Sequence, residues 1–346
     1  MKILTFALMV VLQSSCALAQ NTNKASSDLD STAEKILVYQ RSVGGWPKAV
    51  GKVAIDYDQE LSAQQRLEIK ADSLHDDATI DNKATTRELR YLAGAYRNTR
   101  NSKYLAAVKK GIDYLFKAQY ENGGWPQYFP DHHLYRGQVT YNDNAMVNVL
   151  NVLQDLAEGK EGFEVLSEEY RKRALGAIEK GISCILKTQV LQDGKLTVWC
   201  AQYDQHSLEP AQARKFEPIS LSGMESVYIV EFLMRQKNPS TAIIAAVKSA
   251  VAWFDKAKIT GYDFVFIKDS KLPGGKDRVL KTDSSSVIWA RFYDIPTNIP
   301  IFTGRESVPK KAVAEIELER RVGYAWYGKW PENLIDKKYP KWLKQL

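Results

Sequence analysis

Two pairs of neighbouring residues combine a carboxylate with an amide, Asp81-Asn82 and Asp143-Asn144. Each pair ends a polar connection that also contains the phrase Gly-Gly-Trp-Pro, at residues 44–47 and 123–126. These side chains offer hard oxygen donors of the type that Ca²⁺ prefers, but Ca²⁺ takes about six to eight oxygens. A ligand that brings its own carboxylates would complete the set. The pattern predicts a shared metal and ligand site, with Asp81 and Asp143 as its metal-binding residues.

A structural interpretation of both Asp residues is also open. Both stand just before predicted helices, where a carboxylate can cap backbone N–H groups and is favoured by the helix dipole. Thr85 and Glu88 have the spacing of a capping box, which would leave Asp81 available for a ligand.

Three arginines are candidates for binding an acidic ligand. Arg214 lies in a connection just ahead of a predicted helix, whereas Arg291 and Arg305 stand among aromatic residues. Guanidinium groups bind carboxylates through paired hydrogen bonds and stack on aromatic rings. The alternatives are a solvated loop residue for Arg214, and packing with a salt bridge for Arg291 and Arg305.

Apolar residues at helical spacing predict that most of the chain is helical. The predicted helices cover residues 31–40, 85–99, 104–120, 144–158, 167–189, 222–236 and 240–257. Residues 263–294 instead contain alternating apolar side chains, which predict short strands.

An internal repeat organises these helices. Residues 111–119 match residues 181–189, and residues 36–41 match both more loosely. The period is roughly 70 to 80 residues and contains two helices, so antiparallel helix pairs follow. The long connections 44–82, 122–143 and 190–221 then emerge at the same end. The predicted fold class is all-α, an α/α toroid of three antiparallel helix pairs with long loops and a few short strands.

The N-terminus is typical of a secretory signal, because Lys2 precedes an apolar run and a small-residue segment at 17–19. We predict a signal peptide at residues 1–19, a disordered spacer at 20–30 and a single catalytic domain at 31–346. The expected location is secreted or periplasmic. Lipid attachment at Cys16 is less favoured, because Gln13 occupies a position that is normally aliphatic in lipoprotein signals. No later stretch approaches the roughly 20 apolar residues of a membrane helix.

The formal net charge of +7 favours an acidic partner. The lack of a dense Lys/Arg run argues against nucleic acid and against a membrane surface, while the many Trp and Tyr residues suit sugar binding. Cys184 and Cys200 could pair after export or remain two buried thiols. No nucleophile elbow, phosphate loop or metalloprotease spacing is present. Asp81 and Asp143 could also serve an inverting glycoside hydrolase acting on an acidic polysaccharide.

Ordered strings along the sequence closely resemble the pectate lyases of polysaccharide lyase family 10. The resemblance runs from about residue 35 to 331. Its strings lie at residues 44–48 (GGWPK), 78–82 (ATIDN), 118–128, 141–146 (YNDNAM), 198–202 (VWCAQ), 216–223 (FEPISLSG), 289–294 (WARFYD) and 323–328 (GYAWYG). So many strings in the same order make accidental similarity unlikely.

This resemblance implies an (α/α)₃ toroid and a secreted bacterial enzyme that cleaves polygalacturonate by Ca²⁺-dependent β-elimination. It implies one catalytic base, Arg214. The metal-binding residues that it implies are Asp81 and Asp143. The substrate-binding residues are Asn82, Arg291, Arg305 and Lys48. We expect a monomer that binds polygalacturonate and neither nucleic acid nor a membrane.

Two positions depart from the resembled pattern. Lys83 stands where related sequences usually have Gly, and Ala49 stands where Asn is common. The Lys83 cation could weaken Ca²⁺ binding, or it could sit outward and add a contact to a polyanion. Lys83 therefore leaves room for a second alternative, a pectin-binding protein without catalytic activity.

Overall fold

The computed structural model describes residues 29–346. The helices are α1 (Ser31–Tyr39), α2 (Ala63–Ala71), α3 (Thr86–Thr99), α4 (Ser102–Ala118), α5 (Ala145–Glu158), α6 (Glu168–Thr188), α7 (Glu225–Met234), α8 (Thr241–Ala257), α9 (Leu318–Gly323) and α10 (Tyr339–Leu343). The strands are β1 (Ala49–Val50), β2 (Val53–Ala54), β3 (Val139–Thr140), β4 (Leu191–Gln192), β5 (Lys195–Leu196), β6 (Gln202–Tyr203), β7 (Leu221–Ser222), β8 (Ile259–Lys268), β9 (Lys276–Ala290), β10 (Phe292–Tyr293), β11 (Phe302–Thr303), β12 (Pro309–Lys310) and β13 (Tyr327–Gly328).

The seven predicted helices are all present with slightly shifted ends, and they form the predicted toroid of antiparallel pairs. Helix α3 packs on α4, α5 on α6, and α7 on α8, while α3, α5 and α7 contact one another in that order. Helix α1 packs against both α3 and α4. The apolar stripes of these helices meet in one continuous core that runs from Ala33 to Trp342. The predicted fold class is confirmed.

The internal repeat has a physical basis in three glutamines that end α1, α4 and α6. The side-chain amide of each glutamine donates to a backbone carbonyl in the next helix of the same layer, at 2.9 to 3.0 Å. The pairs are Gln40 with Ala107, Gln119 with Ala177, and Gln189 with Ala246. Each glutamine therefore joins one repeat to the next, which explains why a glutamine follows each of these helices.

A buried tryptophan closes each of the same three turns, and a fourth, Trp289 on β9, follows α8 in the same way. Its indole N–H donates to a backbone carbonyl of the preceding helix, at 2.8 to 2.9 Å. The pairs are Trp46 with Ile36, Trp125 with Leu115, Trp199 with Ile185, and Trp289 with Phe254. Burying such a ring removes roughly 150–250 Å² from water, and the indole N–H keeps a partner. A buried tryptophan thus anchors each long connection to the core, and in the first two connections it belongs to the Gly-Gly-Trp-Pro phrase.

The long connections 44–82, 122–143 and 190–221 meet at one end of the toroid, which we call the mouth. Short antiparallel pairings join them in sequence: Thr79 pairs with Tyr128, β3 with β6, and β7 with β10. The prediction that these connections share one end is correct. A set of loops tied to one another in this way holds side chains more precisely than separate loops would.

Two elements differ from the sequence expectation. The predicted short strands of residues 263–294 are part of a long hairpin, in which β8 and β9 pair from Ile259 to Ile288 with one register shift near Thr260. Helix α2 was not predicted, because none of its residues is buried and its sequence lacks an apolar stripe. Both features lie outside the helix pairs.

Cys184 and Cys200 are free buried thiols, so the alternative of a disulfide does not hold. Burial raises the pKa of Cys184 to about 11 and that of Cys200 to about 12. The predicted signal peptide lies outside the described residues. The predicted spacer overlaps them only at Leu29 and Asp30, and Asp30 caps α1 through Ala33 N–H at 2.8 Å. Within residues 29–346 no helix is long and apolar enough to cross a membrane.

Candidate active site

Two single-turn 3₁₀ helices at the mouth carry the carboxylate and amide pairs. They span Asp81–Lys83 before α3 and Asn142–Asn144 before α5. In each turn the second residue is left-handed, with φ of 50° at Asn82 and 51° at Asp143. Asn and Asp tolerate this conformation better than other non-glycine residues. In the two turns Asp81 and Asn142 therefore hold equivalent positions, as do Asn82 and Asp143. The sequence comparison instead matches Asp81 with Asp143 and Asn82 with Asn144, which is offset by one residue.

The capping interpretation of these residues is wrong. The N-cap of α3 is Thr85 and that of α5 is Asn144, and neither makes a side-chain cap hydrogen bond. The predicted capping box of Thr85 with Glu88 is therefore wrong too, and the Glu88 carboxylate pairs with Arg87. The Thr85 hydroxyl instead accepts from Trp46 N–H at 2.9 Å and donates to the carbonyl of Thr79 at 2.8 Å. It ties the Gly-Gly-Trp-Pro turn to the first 3₁₀ turn. Asp81 and Asp143 are thus available for other partners.

Five of the seven predicted site residues line one cavity at the mouth, of about 100 Å³. We call it the catalytic cavity. Its walls come from all three long connections, because the pairings between those connections bring them together. The predicted residues in the lining are Lys48, Asp81, Asn82, Asp143 and Arg214, and the others are Gln127, Tyr135, Asn142, Gln202, Ala213 and Glu217.

Asp81 is buried and is held by a cation and by its own turn. One carboxylate oxygen forms an ion pair with Lys48 Nζ, and the other accepts from Asn82 N–H at 3.0 Å. Burial alone would lower the pKa of Lys48, but the Asp81 carboxylate outweighs burial and the net shift is upward. Lys48 therefore stays charged.

Asp143 lies in a more crowded electrostatic environment. Burial raises the pKa of Asp143, and the Arg291 guanidinium opposes this, while the Glu225 and Asp81 carboxylates add to it. The influence of Asp81 shows that the two predicted metal-binding carboxylates are close enough to repel each other. A cation between them would relieve that repulsion.

Arg291 lies beneath Asp143. Only 5% of Arg291 is exposed. It donates to Asp143 Oδ1 at 3.0 Å and to Asn142 Oδ1 at 3.3 Å, and it forms an ion pair with Glu225. Burial alone would lower the pKa of Arg291, but Glu225 and Asp143 raise it. In this structure Arg291 holds the Asp143 carboxylate in place and does not line the catalytic cavity, so its predicted binding of substrate stays a prediction.

Arg214 lies on the wall of the catalytic cavity and is paired with Glu217. Its Nε donates to Glu217 Oε2 at 2.9 Å, and its guanidinium stacks over the Phe216 ring at 5.0 Å. The hydrogen bond to Glu217 raises the pKa of Arg214. Burial would raise the pKa of Glu217, but Arg214 outweighs burial and the net shift is downward. The pair is therefore firmly ionic.

Arg305 is not in the lining of the catalytic cavity. Its guanidinium is exposed, bonds Glu319 at 2.6 Å and stacks over Phe216 at 4.7 Å. Since Arg214 stacks on the same ring, Arg305 stands beside the cavity at its outer edge. Its assignment as a substrate-binding residue stays a prediction.

The sequence interpretation missed several residues of this site. Gln127 is the counterpart of Lys48 in the repeated phrase, so comparing the two phrases would have found it. Its carbonyl oxygen Oε1 is shielded from water and has no hydrogen-bond partner among residues 29–346. Glu217 and Glu225 carry no such signal, because their roles depend on which arginines the folded loops bring beside them.

The cavity offers oxygen donors suited to a hard cation, but the described part of the chain contains no cluster of three or more His, Cys, Asp or Glu side chains able to hold a metal. The cavity is lined by the carboxylates of Asp81, Asp143 and Glu217, of which Glu217 is taken up by Arg214, and by amide oxygens such as that of Gln127. Ca²⁺ accepts such mixed sets and completes them with water or ligand oxygens. The residues present therefore fit a Ca²⁺ shared with an acidic ligand, and do not fit a closed protein cage.

Comparisons with known proteins agree with this fold and site. The sequence matches the family described as Pectic acid lyase over residues 40–335. One similar structure is an aspartate-to-alanine mutant of a family 10 polysaccharide lyase from Cellvibrio cellulosa in complex with trigalacturonic acid. The two chains are 35% identical with a TM-score of 0.79, and the similarity covers 92% of this chain and 95% of that one. The family 10 polysaccharide lyase from Cellvibrio cellulosa is 34% identical with a TM-score of 0.78, covering 94% and 95%. Among curated proteins, none matches significantly.

A helical toroid with an ionic cavity at its mouth, together with these matches, defines a polysaccharide lyase. More particularly, the chain belongs to the Pectic acid lyase family.

Proposed function

We propose that the protein is a Ca²⁺-dependent pectate lyase that cleaves polygalacturonate by β-elimination, with Arg214 as the base. The observation that carries this proposal is that Asp81, Asn82, Asp143 and Arg214 line the same cavity. The similar Cellvibrio structure in complex with trigalacturonic acid supports an acidic galacturonan as the substrate. The basic net charge of +7 suits the same polymer.

Asp81 and Asp143 would hold the Ca²⁺, with amide oxygens from Asn82 and Gln127 nearby. When bound beside the sugar carboxylate, Ca²⁺ would stabilise negative charge on that carboxylate and make the neighbouring C5 proton more acidic. Lys48 competes for Asp81, and it is partly exposed, so it can turn toward a substrate carboxylate. Arg291 stays beneath Asp143 and keeps that carboxylate oriented.

The base must remove the proton from C5 of the sugar. The electron pair of the broken C5–H bond forms the C4–C5 double bond, while the C4–O bond breaks and its oxygen accepts a proton as it leaves. The products are a new reducing end and an unsaturated sugar.

A guanidinium cannot accept a proton until it has lost one, and its pKa ordinarily exceeds about 12. Glu217 stabilises the charged form of Arg214. Arg214 must therefore move away from Glu217, or Glu217 must lose its charge, before Arg214 acts as the base. A Ca²⁺ held by Asp81 and Asp143 would add positive charge to the cavity, which would lower the pKa of Arg214.

The experiment is an absorbance assay with purified protein, polygalacturonate and Ca²⁺. A C4–C5 double bond conjugated with the carboxylate absorbs in the near ultraviolet, so absorbance should rise together with new reducing ends. Reducing ends without absorbance would favour the glycoside hydrolase instead. Binding without either product would favour the pectin-binding alternative. Removing Ca²⁺ with a chelator should stop the reaction, and adding Ca²⁺ back should restore it.

We further infer export to the periplasm or the outside, and action as a monomer. Export is supported by the signal-like order of charge, apolar run and small residues at 1–19. Expression of the full chain in a Gram-negative host, followed by fractionation and N-terminal sequencing, tests this. Retention in the cytoplasm with an uncleaved N-terminus would overturn it.

A further inference from the structure

A second opening in the surface adjoins the catalytic cavity and is lined by several cations. It measures about 700 Å³ and is lined by side chains of the 3₁₀ turn Asp81–Lys83, of α3 and α5, and of the end of α7. Four of its lining residues are cations, and none is acidic. They are Lys83, Arg87, Arg90 and Arg235. We call this opening the cationic cleft. Its volume lies within the range of about 300 to 1,000 Å³ for small-molecule sites.

The cationic cleft retains positive charge after its internal ion pairs are counted. Arg90 pairs with Asp155, and Arg235 pairs with Asp155 and Glu158. Arg87 pairs with a buried glutamate next to it in the chain. Lys83 is exposed, and among residues 29–346 its ammonium has no ionic or hydrogen-bond partner. The unmatched charge of the cleft is therefore concentrated at Lys83.

The cleft also contains an unsatisfied neutral donor. The side-chain nitrogen of Asn148 is shielded from water and has no partner in the described part of the chain. A shielded N–H group without an acceptor is costly. A cleft with unused N–H donors and excess positive charge is suited to an anionic ligand that is rich in oxygen acceptors.

The position of Lys83 connects the cleft to the catalytic cavity. Asn82 lines the cavity, and the next residue, Lys83, lines the cleft. Lys83 has a φ of 65°, a conformation that glycine adopts freely and that is strained for lysine. Because the backbone conformation at this position disfavours lysine, the presence of Lys83 indicates a role for its charged side chain. Because Lys83 lines the cleft and not the cavity, its ammonium is placed for a ligand of the cleft and not for a metal in the cavity.

We propose that the cationic cleft is an additional binding site for the uronate chain, which it grips through carboxylates that extend beyond the catalytic cavity. This inference rests on the proposed function, because it takes the substrate to be a long carboxylated polysaccharide. It assigns Lys83, Arg90 and Asn148 to substrate binding. The site strengthens binding of long chains and takes no part in proton transfer.

The test compares polymer affinities by electrophoresis through gels that contain polygalacturonate, using Arg214→Ala as the parent so that the polymer is not consumed. The two cleft variants are Lys83→Gly and Arg90→Gln. Lys83→Gly removes the ammonium and relieves backbone strain, and Arg90→Gln leaves Asp155 paired with Arg235. Each should weaken polymer affinity about threefold, and the double variant about tenfold, as expected for partly exposed charges. These losses should shrink as salt is added.

Lys103→Gln is the matched control, because it removes an exposed lysine at the start of α4, the end of that helix opposite the Gln119 turn. It should bind the polymer as the parent does. A fully methyl-esterified polymer, which lacks the carboxylates, should show no difference between parent and cleft variants. Equal polymer affinity for the double cleft variant and Lys103→Gln would overturn the proposed binding of the chain in the cleft. An equally large loss of affinity for the esterified polymer in the cleft variants would overturn it as well.

The same experiments separate this inference from the proposed function. Unsaturated product from the unmodified enzyme, with unchanged affinity in the cleft variants, would overturn the cleft and leave the lyase in place. Lack of unsaturated product, with weakened affinity in the cleft variants, would overturn the lyase and leave polyuronate binding in the cleft. Thermal unfolding of Lys83→Gly at or above the parent temperature is expected, which excludes misfolding as the cause of lost affinity.

Discussion

Two arginine–glutamate pairs at the mouth have the same chemistry and opposite surroundings. Arg214 and Glu217 lie on the third long connection, where 47% of the Arg214 side chain is exposed. Arg291 and Glu225 lie beneath Asp143, with 6% and 1% of their side chains exposed. Only 13% of the Glu217 side chain is exposed, so in the first pair the arginine can turn toward water while the glutamate stays largely buried. The second pair cannot separate, because either partner would be left charged in a buried environment.

This difference separates catalysis from positioning. A base must exchange protons and partners, which requires an accessible side chain such as that of Arg214, 47% of which is exposed. A positioning residue must keep one arrangement through every cycle, which a buried ion pair provides. If the proposed function holds, the comparison favours Arg214 as the reactive residue and Arg291 as a positioning residue. The sequence around Arg214 contains one aromatic residue, Phe216, whereas Arg291 stands among Trp289, Phe292 and Tyr293.

The largest expected effect is on catalysis, from Arg214→Ala. We expect kcat/KM on polygalacturonate to fall by about 10²- to 10⁴-fold, the usual contribution of a general base. Polymer affinity should change little, because Lys48 and the cleft cations remain. The rate of near-ultraviolet absorbance measures turnover, and gel electrophoresis with polymer measures affinity. Lys215→Ala, which removes the next cation on the same loop, should keep nearly full activity. Activity of Arg214→Ala close to that of Lys215→Ala would show that another residue is the base.

The second effect is on stability, from Arg291→Gln. Removing this guanidinium leaves the Glu225 carboxylate buried without a cation, so the free energy of unfolding should fall by about 3–5 kcal/mol. Urea denaturation followed by circular dichroism measures it. Arg214→Gln should lower the same quantity by less, on the order of 1–2 kcal/mol, because the Glu217 side chain that loses its partner is 13% exposed rather than fully buried.

The double variant Arg291→Gln with Glu225→Gln sharpens this prediction. It removes the uncompensated carboxylate, so part of the lost stability should return. Equal unfolding midpoints for Arg291→Gln and Arg214→Gln would show that burial does not distinguish the two pairs.

The third effect is on pH dependence, from Glu217→Gln. The hydrogen bond to Glu217 raises the pKa of Arg214, and only the neutral form of Arg214 can accept a proton, so kcat/KM should rise as the pH rises. Replacing Glu217 removes the cause of the raised pKa. The rising limb should then move toward lower pH by on the order of one unit.

Glu319→Gln is the matched control for that shift. Glu319 pairs with Arg305 at the outer edge and does not line the catalytic cavity. Its pH–rate profile should follow that of the unmodified enzyme. If the pH–rate profile of Glu217→Gln coincides with that of the control, the rate does not depend on the ionisation of Arg214.

Local patterns made the helices predictable. The ends of α3 to α8 follow from apolar spacing and short connections, and the recurring glutamines and tryptophans mark the repeat. Helix α2 was missed because it buries no residue and therefore shows no stripe. The length of the β8–β9 hairpin was underestimated because much of it is exposed and its apolar alternation is incomplete.

The site was predictable only in part. The repeated phrase located Lys48, Asp81, Asn82 and Asp143, which the structure places around one cavity. The register of the two 3₁₀ turns was not predictable, because their left-handed residues depend on the Thr85 hydroxyl and on packing against the other connections. Nor were the partners of the arginines, since Glu217 and Glu225 become partners only after the loops fold.

The smallest expected effect comes from Arg305→Gln, at the outer edge of the exposed pair. Arg305 shares the Phe216 ring with Arg214 and is exposed, so it can contact a substrate carboxylate only at the rim. We expect KM for polygalacturonate to rise by about two- to fivefold at low salt, with kcat unchanged, as for a solvent-screened charge. The increase should disappear at high ionic strength.

The control for Arg305 is Lys310→Gln, which removes a partly exposed cation from strand β12, near the same loop. It should leave KM unchanged at every salt concentration. If Arg305→Gln instead lowers kcat as strongly as Arg214→Ala does, the residues needed for catalysis extend beyond the Arg214–Glu217 pair. Arg305 would then act in catalysis together with Arg214, and the accessible reactive residues would be two arginines, in contrast to the buried positioning residue Arg291.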